Sequence, residues 1–287
     1  MPCFFILVVI KDNSERKAEP YQFKKEGKML KMVFIEARDL PDAWFQCVSE
    51  VLKPGNARKR KIDQGSYEDE YRLELDFVTV HILYPGARPL IPDIPVHLGI
   101  PSPVESMEYV DGYFARYLMS DVKEGDEQYT YGERMVSGLT KSIAHIGKEH
   151  TFFSDDNRPF VINQIDQVIE RYKKYGPGNN QLILQVGQPA DIMLKDPPCL
   201  RHIDTRIEEG KLHFYIYFRS WDLWGGFPAN LAAIQLMKEL MASEIGVDDG
   251  EMICASKGLH LYGYVWEIAG ERRGLTEKEM EDLKKVV

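Results

Sequence analysis

Cysteine is scarce in this chain of 287 residues: there are four, Cys3, Cys47, Cys199 and Cys254. No two form a CxxC pair, so the paired spacing of a zinc site is absent and no metal ligands are expected. So sparse a set builds no disulfide framework, and reduced thiols in a cytoplasmic protein are the expectation. Long apolar runs are lacking too. The opening stretch "MPCFFILVVI" is about ten residues, half of the ~20 a membrane-spanning helix needs. It has neither a positively charged leader nor a small-residue cleavage site, so it reads as a first β-strand. Positive charge is in deficit, with 36 Lys and Arg against 45 Asp and Glu and a formal net charge of −9. That excludes a broad footprint for nucleic acid but leaves room for a local basic pocket. Repeats and low-complexity tracts are missing as well. What is left, 44% hydrophobic and 28% charged, is an ordinary globular composition, long enough for one large domain or two small ones.

The hydrophobic pattern divides the chain further. Residues 11–31 are polar and read as a loop or extension. "KMVFIEA" is a strand, and Asp39 with Pro41 opens a helix over "LPDAWFQCVSEVL". "NARKRKIDQG" reads as a basic loop, and "RLELDFVTVHIL" as one strand. The proline-rich "YPGARPLIPDIPVHLGIPSP" is an irregular connection. "VESMEYVDGYFARYLM" and "NQIDQVIERYKKYGPG" have helical spacing, the second stopped by Gly-Pro-Gly. "QLILQVGQP" is a strand, and "KLHFYIYFRS" reads as a central strand covered on both faces. "FPANLAAIQLMKELMASEIG" has too few charges to be a surface helix. "EMICASKGLHLYGYVWEI" is a strand or strand pair, and Thr276 with Glu279 marks a capping box at the start of a last, charged helix. The order is mixed, without the regular βαβ alternation of a TIM barrel or Rossmann fold.

Four stretches carry polar residues where local structure favours apolar ones. In "DPPCLRH", two prolines stiffen the turn that presents Cys199. A pinned thiol near cations can have a lowered pKa and act as a nucleophile, although a cysteine in a turn is more often an inert packing residue. In "FRSWDLWGGFPAN", an apolar strand ends in Arg219, Ser220 and Asp222, and Asn230 follows near a helix start. Arg and Ser suit an oxyanion, and Asn can pair with an amide-like edge; singly, each is equally well an ion pair or a cap. In "GLHLYGY", His260 and Tyr262 share a strand face, where both could donate to a sugar hydroxyl, or simply satisfy each other in the core. Arg58, Lys59, Arg60 and Lys61 read as a solvated charged loop or a phosphate clamp.

Taken in order, these blocks resemble the thymidylate synthase family, which carries a Pro-Cys turn before a strand, then Arg-Ser-x-Asp with Gly-x-Pro-x-Asn, then His-x-Tyr. Here they are Pro198-Cys199, Arg219-Ser220-Trp221-Asp222, Gly226-Phe227-Pro228-Ala229-Asn230 and His260-Leu261-Tyr262. Tyr131-Gly132 echoes the family's Tyr-Gly motif. The resemblance spans roughly residues 40–268 and is strongest from 197 to 262. It implies covalent catalysis: Cys199 attacks C6 of dUMP or a related pyrimidine nucleotide, and C5 then takes a one-carbon unit and a hydride from a methylene-tetrahydropterin. Arg219 would bind the 5′-phosphate and hold Cys199 as thiolate, with Ser220 and Arg60 adding phosphate contacts. Asn230 would read the base, His260 and Tyr262 the ribose 3′-hydroxyl. Asp222, with Gly226 beside it, would hold the pterin. Glu108, or Glu105 as alternate, would be the general acid–base.

The departures are equally specific. Leu200 replaces the His that follows the family's Cys, and Asn180-Gln181 stands where an Arg pair reaches the partner's phosphate. No Trp follows Tyr131-Gly132, and the family's C-terminal tail is not recognisable. Together they resemble the divergent, archaeal-type branch, with 5,10-methylene-tetrahydrofolate or a modified pterin such as tetrahydromethanopterin as donor. A pyrimidine nucleotide 5-hydroxymethylase and a non-catalytic nucleotide-binding relative are the alternatives. The fold implied is an α/β (α+β) domain with one large mixed sheet, forming a homodimer through a sheet face. The expected organisation is an extension over 1–38, a catalytic domain over 39–270 and a charged helix over 271–287.

Overall fold

The computed structural model describes residues 29–63, 67–92, 104, 106–125, 127–140 and 160–285. The apolar opening stretch, most of the polar 11–31 stretch, the later part of the proline-rich connection and Glu105 lie outside the described residues.

Alternation builds β1 (Met32–Ala37), with Ile35 and Ala37 turned inward. Asp39 caps α1 (Leu40–Val51) by accepting from the backbone N–H of Asp42 at 3.0 Å. Pro41 sits in the first turn, where a missing N–H costs nothing. Then come β2 (Arg58–Lys61), β3 (Tyr71–Glu74) and β4 (Phe77–Ile82). α2 (Met107–Tyr113) runs into a wide π-type turn over Phe114–Leu118, closed by the Met119 N–H on the Phe114 carbonyl at 3.0 Å. α3 (Tyr131–Val136) precedes the short pair β5 (Gly138–Thr140) and β6 (Phe160–Ile162). α4 (Gln164–Tyr175) is capped by Asn163 and ends at Gly176. The rest are β7 (Ile183–Gln185), β8 (Leu200–Glu208), β9 (Lys211–Phe218), β10 (Trp221–Asp222), α5 (Gly226–Ile245), β11 (Asp248–Ser256), β12 (Leu259–Tyr262), α6 (Trp266–Arg273) and α7 (Glu277–Lys285).

Among the described residues the strands form a six-stranded mixed sheet, β1-β4-β11-β9-β8-β7, and a four-stranded sheet, β10-β12-β3-β2. α5 packs on one face of the large sheet, burying Leu231, Ala232, Ile234, Met237 and Met241. Each of the leucine, isoleucine and methionine side chains contributes roughly 1.5–3 kcal/mol of transfer free energy. Under it lie Leu212, Phe214, Ile216 and Phe218 of β9.

Four expectations need correction. The stretch read as one strand is two, β3 and β4, in different sheets, because the chain breaks at Asp76, whose carboxylate accepts from Lys31 N–H (3.1 Å) and Arg58 (2.6 Å). The basic loop is strand β2, since its cations meet carboxylates on and beside β3: Arg58 with Asp76, Arg60 with Glu74, Lys61 with Asp69. β9 is central but covered on one face: His213, Tyr215 and Tyr217 form a second, partly exposed row. Lastly, β1 lies inside the expected 1–38 extension yet pairs in parallel with β4 from Met32↔Phe77 to Ala37↔Ile82, so the sheet already begins at Met32. At the other end α7 is packed rather than free, with Leu283 buried and Lys284 paired to Glu267 at 2.7 Å.

Candidate active site

Cys199 sits in a bend one residue before β8, half-buried. Its carbonyl accepts from the Arg219 N–H at 2.9 Å, which ties the end of β9 to the turn. The Leu200 N–H donates to the hydroxyl of buried Tyr131 at 3.2 Å. The turn is also gripped from the side: Arg219 Nε donates to the Pro198 carbonyl at 3.2 Å, and its Nη2 donates to the Pro197 carbonyl and to Asp196 at 3.1 Å. Arg201 adds a contact to the Pro198 carbonyl at 3.3 Å. The stiffness of the Cys199 pedestal thus comes from two prolines and two arginines. Burial pushes the Cys199 thiol up, while Arg219 pulls it in the opposite direction without overcoming burial. The lowered pKa that a pinned thiol near cations allows is therefore not found.

Beyond Ser220, which is partly buried, the strand end turns into α5. Asp222 accepts from the backbone N–H groups of Trp224, Gly225 and Gly226 at 3.0–3.3 Å, so it closes the entry to the helix. Burial holds its carboxyl above the usual range, with those N–H bonds opposing. The fit at Gly226 is tight: a Cβ would stand 3.2 Å from the Asp222 Cβ, so that side chain would have to give by a few tenths of an ångström. Asn230 is fixed on two sides. Its Oδ1 accepts from Trp221 Nε1 at 3.1 Å and its Nδ2 donates to the Tyr113 hydroxyl at 2.8 Å. Trp221 is itself stacked between Phe218 and Phe227, with ring centroids 4.2 and 4.4 Å away.

His260 is 2% exposed. Its Nδ1 bonds the Gly258 carbonyl at 2.8 Å, so Nδ1 carries the proton and Nε2 is an acceptor. Nε2 is buried and without a hydrogen-bond partner. Burial lowers its pKa to about 4, so the ring is neutral near pH 7. The sequence expectation that His260 donates to a sugar hydroxyl is therefore reversed: its unpaired nitrogen is an acceptor. Tyr262 stands edge-on to His260 (4.6 Å) and stacks on Tyr67 (4.3 Å).

Two expected residues stand apart. Glu108 is exposed in the first turn of α2. Arg60 is held by Glu74 at 2.7 Å and Asp76 at 3.4 Å. Sequence reasoning in turn missed Arg72, on the same sheet face as His260 and Tyr262, and the tyrosines of α2 and of the π-type turn after it. Tyr109, Tyr113 and Tyr117 are four apart and so share one helix face. With Arg116, Glu124 and Glu127 they line a groove of about 340 Å³, and Tyr113 links that groove to Asn230. The signals were present in "EYRLEL" and "EYVDGYFARY", but neither belongs to a recognised block. A larger cavity of about 690 Å³, lined by Lys173, Asn180 and Arg206 among others, holds none of these residues. Among the described residues, no group of three or more His, Cys, Asp or Glu is placed to hold a metal ion, and no helix is long and apolar enough to cross a membrane.

A family profile described as thymidylate synthase matches residues 114–286, well over half of the chain. The chain belongs to the thymidylate synthase family. A "Putative thymidylate synthase" of Methanosarcina acetivorans is 24% identical over 234 residues, covering 82% of this chain and 91% of that protein. A second, from Methanosarcina barkeri, is 27% identical over 155 residues, 54% of this chain and 62% of its own length, so that match spans less than two thirds of the relative. The "Thymidylate synthase" of Listeria monocytogenes is 36% identical over 103 residues, 36% of this chain and 32% of that protein. The similarity to archaeal relatives over most of their length identifies the divergent branch that the departures suggested.

Proposed function

We propose that this family member is a thymidylate synthase that uses Cys199 to make a covalent adduct with dUMP. The observation that carries the reading is the half-engaged amide of Asn230, joined by hydrogen bond to the Tyr113 hydroxyl, which in turn feels the Cys199 thiol. An Asn amide has two donors and two acceptor sites. Trp221 Nε1 can only donate, so it fixes Oδ1 on its own side and with it the orientation of the amide. One N–H and one lone pair remain, the complement of the O4 and N3–H of uracil. His260 Nε2, a bare acceptor, suits a donating ribose hydroxyl. Arg219 and Ser220 lie at the strand end beside Cys199, where a phosphate completes the anchoring of the ring.

With the ring held, the thiolate of Cys199 attacks C6, and the displaced electron pair makes C5 nucleophilic. Arg219, the cation acting most strongly on the thiol, stabilises the anion. The tyrosine-lined groove fits a flat heteroaromatic donor; Asp222, at the start of α5, would be a polar contact for that donor only from outside the groove's lining. A methylene-tetrahydropterin bound there supplies the one-carbon unit and the hydride. Water in place of hydride would give a 5-hydroxymethyl product. The homodimer belongs to the same reading: the open face of the large sheet presents Phe34, 67% exposed, and Tyr215, 39% exposed.

The test is intact-mass analysis of the protein mixed with 5-fluoro-dUMP and a methylene-tetrahydropterin. An adduct on Cys199 is expected, and product analysis with dUMP then separates methylation from hydroxymethylation. Nucleotide binding without an adduct under any donor rejects the enzyme reading. Cys199→Ser should abolish turnover and spare dUMP binding; retained turnover rejects the covalent route.

A further inference from the structure

Arg201 follows Cys199 by two residues, where β8 breaks its own ladder. Leu200 stands opposite Phe218 and His202 opposite Tyr217, so Arg201 is the extra residue of a β-bulge. A bulge re-aims the side chain it carries. This one is fixed from just beyond the end of β7: the N–H groups of Val186 and Gly187 both donate to the Arg201 carbonyl, at 3.0 and 2.8 Å. The guanidinium lies over Gly187, where a Cβ would stand 2.6 Å from it. From there Arg201 Nη1 donates to Asp191 Oδ2 and to the Pro198 carbonyl, each at 3.3 Å.

Asp191 is buried in the 3₁₀ turn Pro189–Met193. Its Oδ2 also accepts from the Gln188 N–H at 2.7 Å, and its Oδ1 accepts from Arg134 Nη2 at 3.0 Å. Arg134 belongs to α3, close after Tyr131, whose hydroxyl accepts from the Leu200 N–H. One buried carboxylate thus ties together α3, the 3₁₀ turn and the start of β8. Such a network adds little stability, because desolvating the charges offsets most of their attraction. What it supplies is direction. A carbonyl oxygen has two lone pairs. That of Pro198 receives Arg219 Nε at 3.2 Å from the end of β9 and Arg201 Nη1 at 3.3 Å from β8. The peptide plane between Pro198 and Cys199 is therefore pinned from two strands, and that plane sets where the Cys199 side chain points.

We propose that Arg201, aimed by Asp191, is a positioning residue for the covalent step, holding the Cys199 sulfur in line with the ring carbon it attacks. It acts through the Pro198 carbonyl and passes no proton. A displacement of about 1 Å at a reacting atom can cost roughly a hundredfold in rate. Nucleotide affinity, set by groups outside this network, should not follow. The inference rests on the covalent reading above.

Two measurements on each variant separate positioning from folding. One is the rate at which 5-fluoro-dUMP with a methylene-tetrahydropterin forms the Cys199 adduct, by intact mass; the other is dUMP affinity, by calorimetry. Arg201→Met leaves the Asp191–Arg134 pair in place. It should slow the adduct roughly ten- to hundredfold while dUMP affinity stays within about twofold of wild type. Arg201→Lys, which returns a donor to the same carbonyl, should recover part of the rate. An unchanged adduct rate in Arg201→Met, or equal losses in rate and affinity, overturns the assignment and leaves the covalent reading standing. If Arg201→Met does not fold, Asp191→Asn is measured instead, since it removes the charge that aims Arg201; an adduct rate at the wild-type level there overturns the assignment. Wild type that binds dUMP but forms no adduct sinks the covalent reading, and the role of Arg201 with it.

Discussion

A thiol presented by two prolines and clamped by Arg219 is held in place without being ionised in the free protein, because burial outweighs the cation. Alkylation of Cys199 by iodoacetamide, followed by peptide mapping, should therefore be slow at neutral pH and still rising at pH 9; a plateau below pH 8 would contradict this. His260 makes a second residue-level prediction. Its pKa is about 4 in the folded chain and about 6.5 when unfolded. The unfolded state binds the extra proton, so this group's stabilisation is full above pH 6.5 and is lost as pH falls toward 4. Denaturant titrations at pH 7 and pH 4.5 should show a larger loss for wild type than for His260→Gln, by about 2 kcal/mol. Cys199, Arg219, Asn230 and His260 were legible as candidates because each stands in an ordered block of unusual residues. Arg72 was not. Its place opposite Tyr262 depends on cross-strand register, which a local string such as "YRLEL" does not encode.

Single elements carry their own constraints. Gly132 starts α3 against the end of the π-type turn, and a Cβ there would lie 2.1 Å from the Ser120 carbonyl oxygen. Gly132→Ala must push α3 and Tyr131 away from the Cys199 turn. Melting should drop by several degrees, and a variant of unchanged melting temperature would refute the packing described. α5 buries Lys238 completely, with its ammonium donating to the carbonyls of Gly250 and Glu251 where β11 leaves register with β9. Burial lowers its pKa to about 8. Between pH 8 and about 10.5 the unfolded chain holds a proton that the folded one has released, so this group stabilises increasingly with pH. The stability gap between wild type and Lys238→Met should shift in favour of wild type across that window. Helix α5 was readable as buried from its composition, but Lys238 could not be told from a surface lysine, since its partners come from β11.

For the whole molecule, the uncovered face of the large sheet predicts association. Sedimentation at micromolar concentration should give a dimer, and Tyr215→Glu should yield a folded monomer; a monomeric wild type would remove the sheet-face pairing. The sequence by itself determined most of the elements and the family, and it named the candidate site residues, because helix caps, strand alternation and the Pro-Cys, Arg-Ser and His-x-Tyr blocks are short-range patterns. Tertiary structure alone decided that "RLELDFVTVHIL" is shared between two sheets and that the four consecutive cations are a strand, three of them paired with carboxylates and Lys59 with the Lys284 carbonyl. It also decided that His260 offers a lone pair and that Arg72 shares a sheet face with His260 and Tyr262. Those properties arise from hydrogen-bond partners and desolvation contributed by segments far apart in the chain, and no local window of residues contains them.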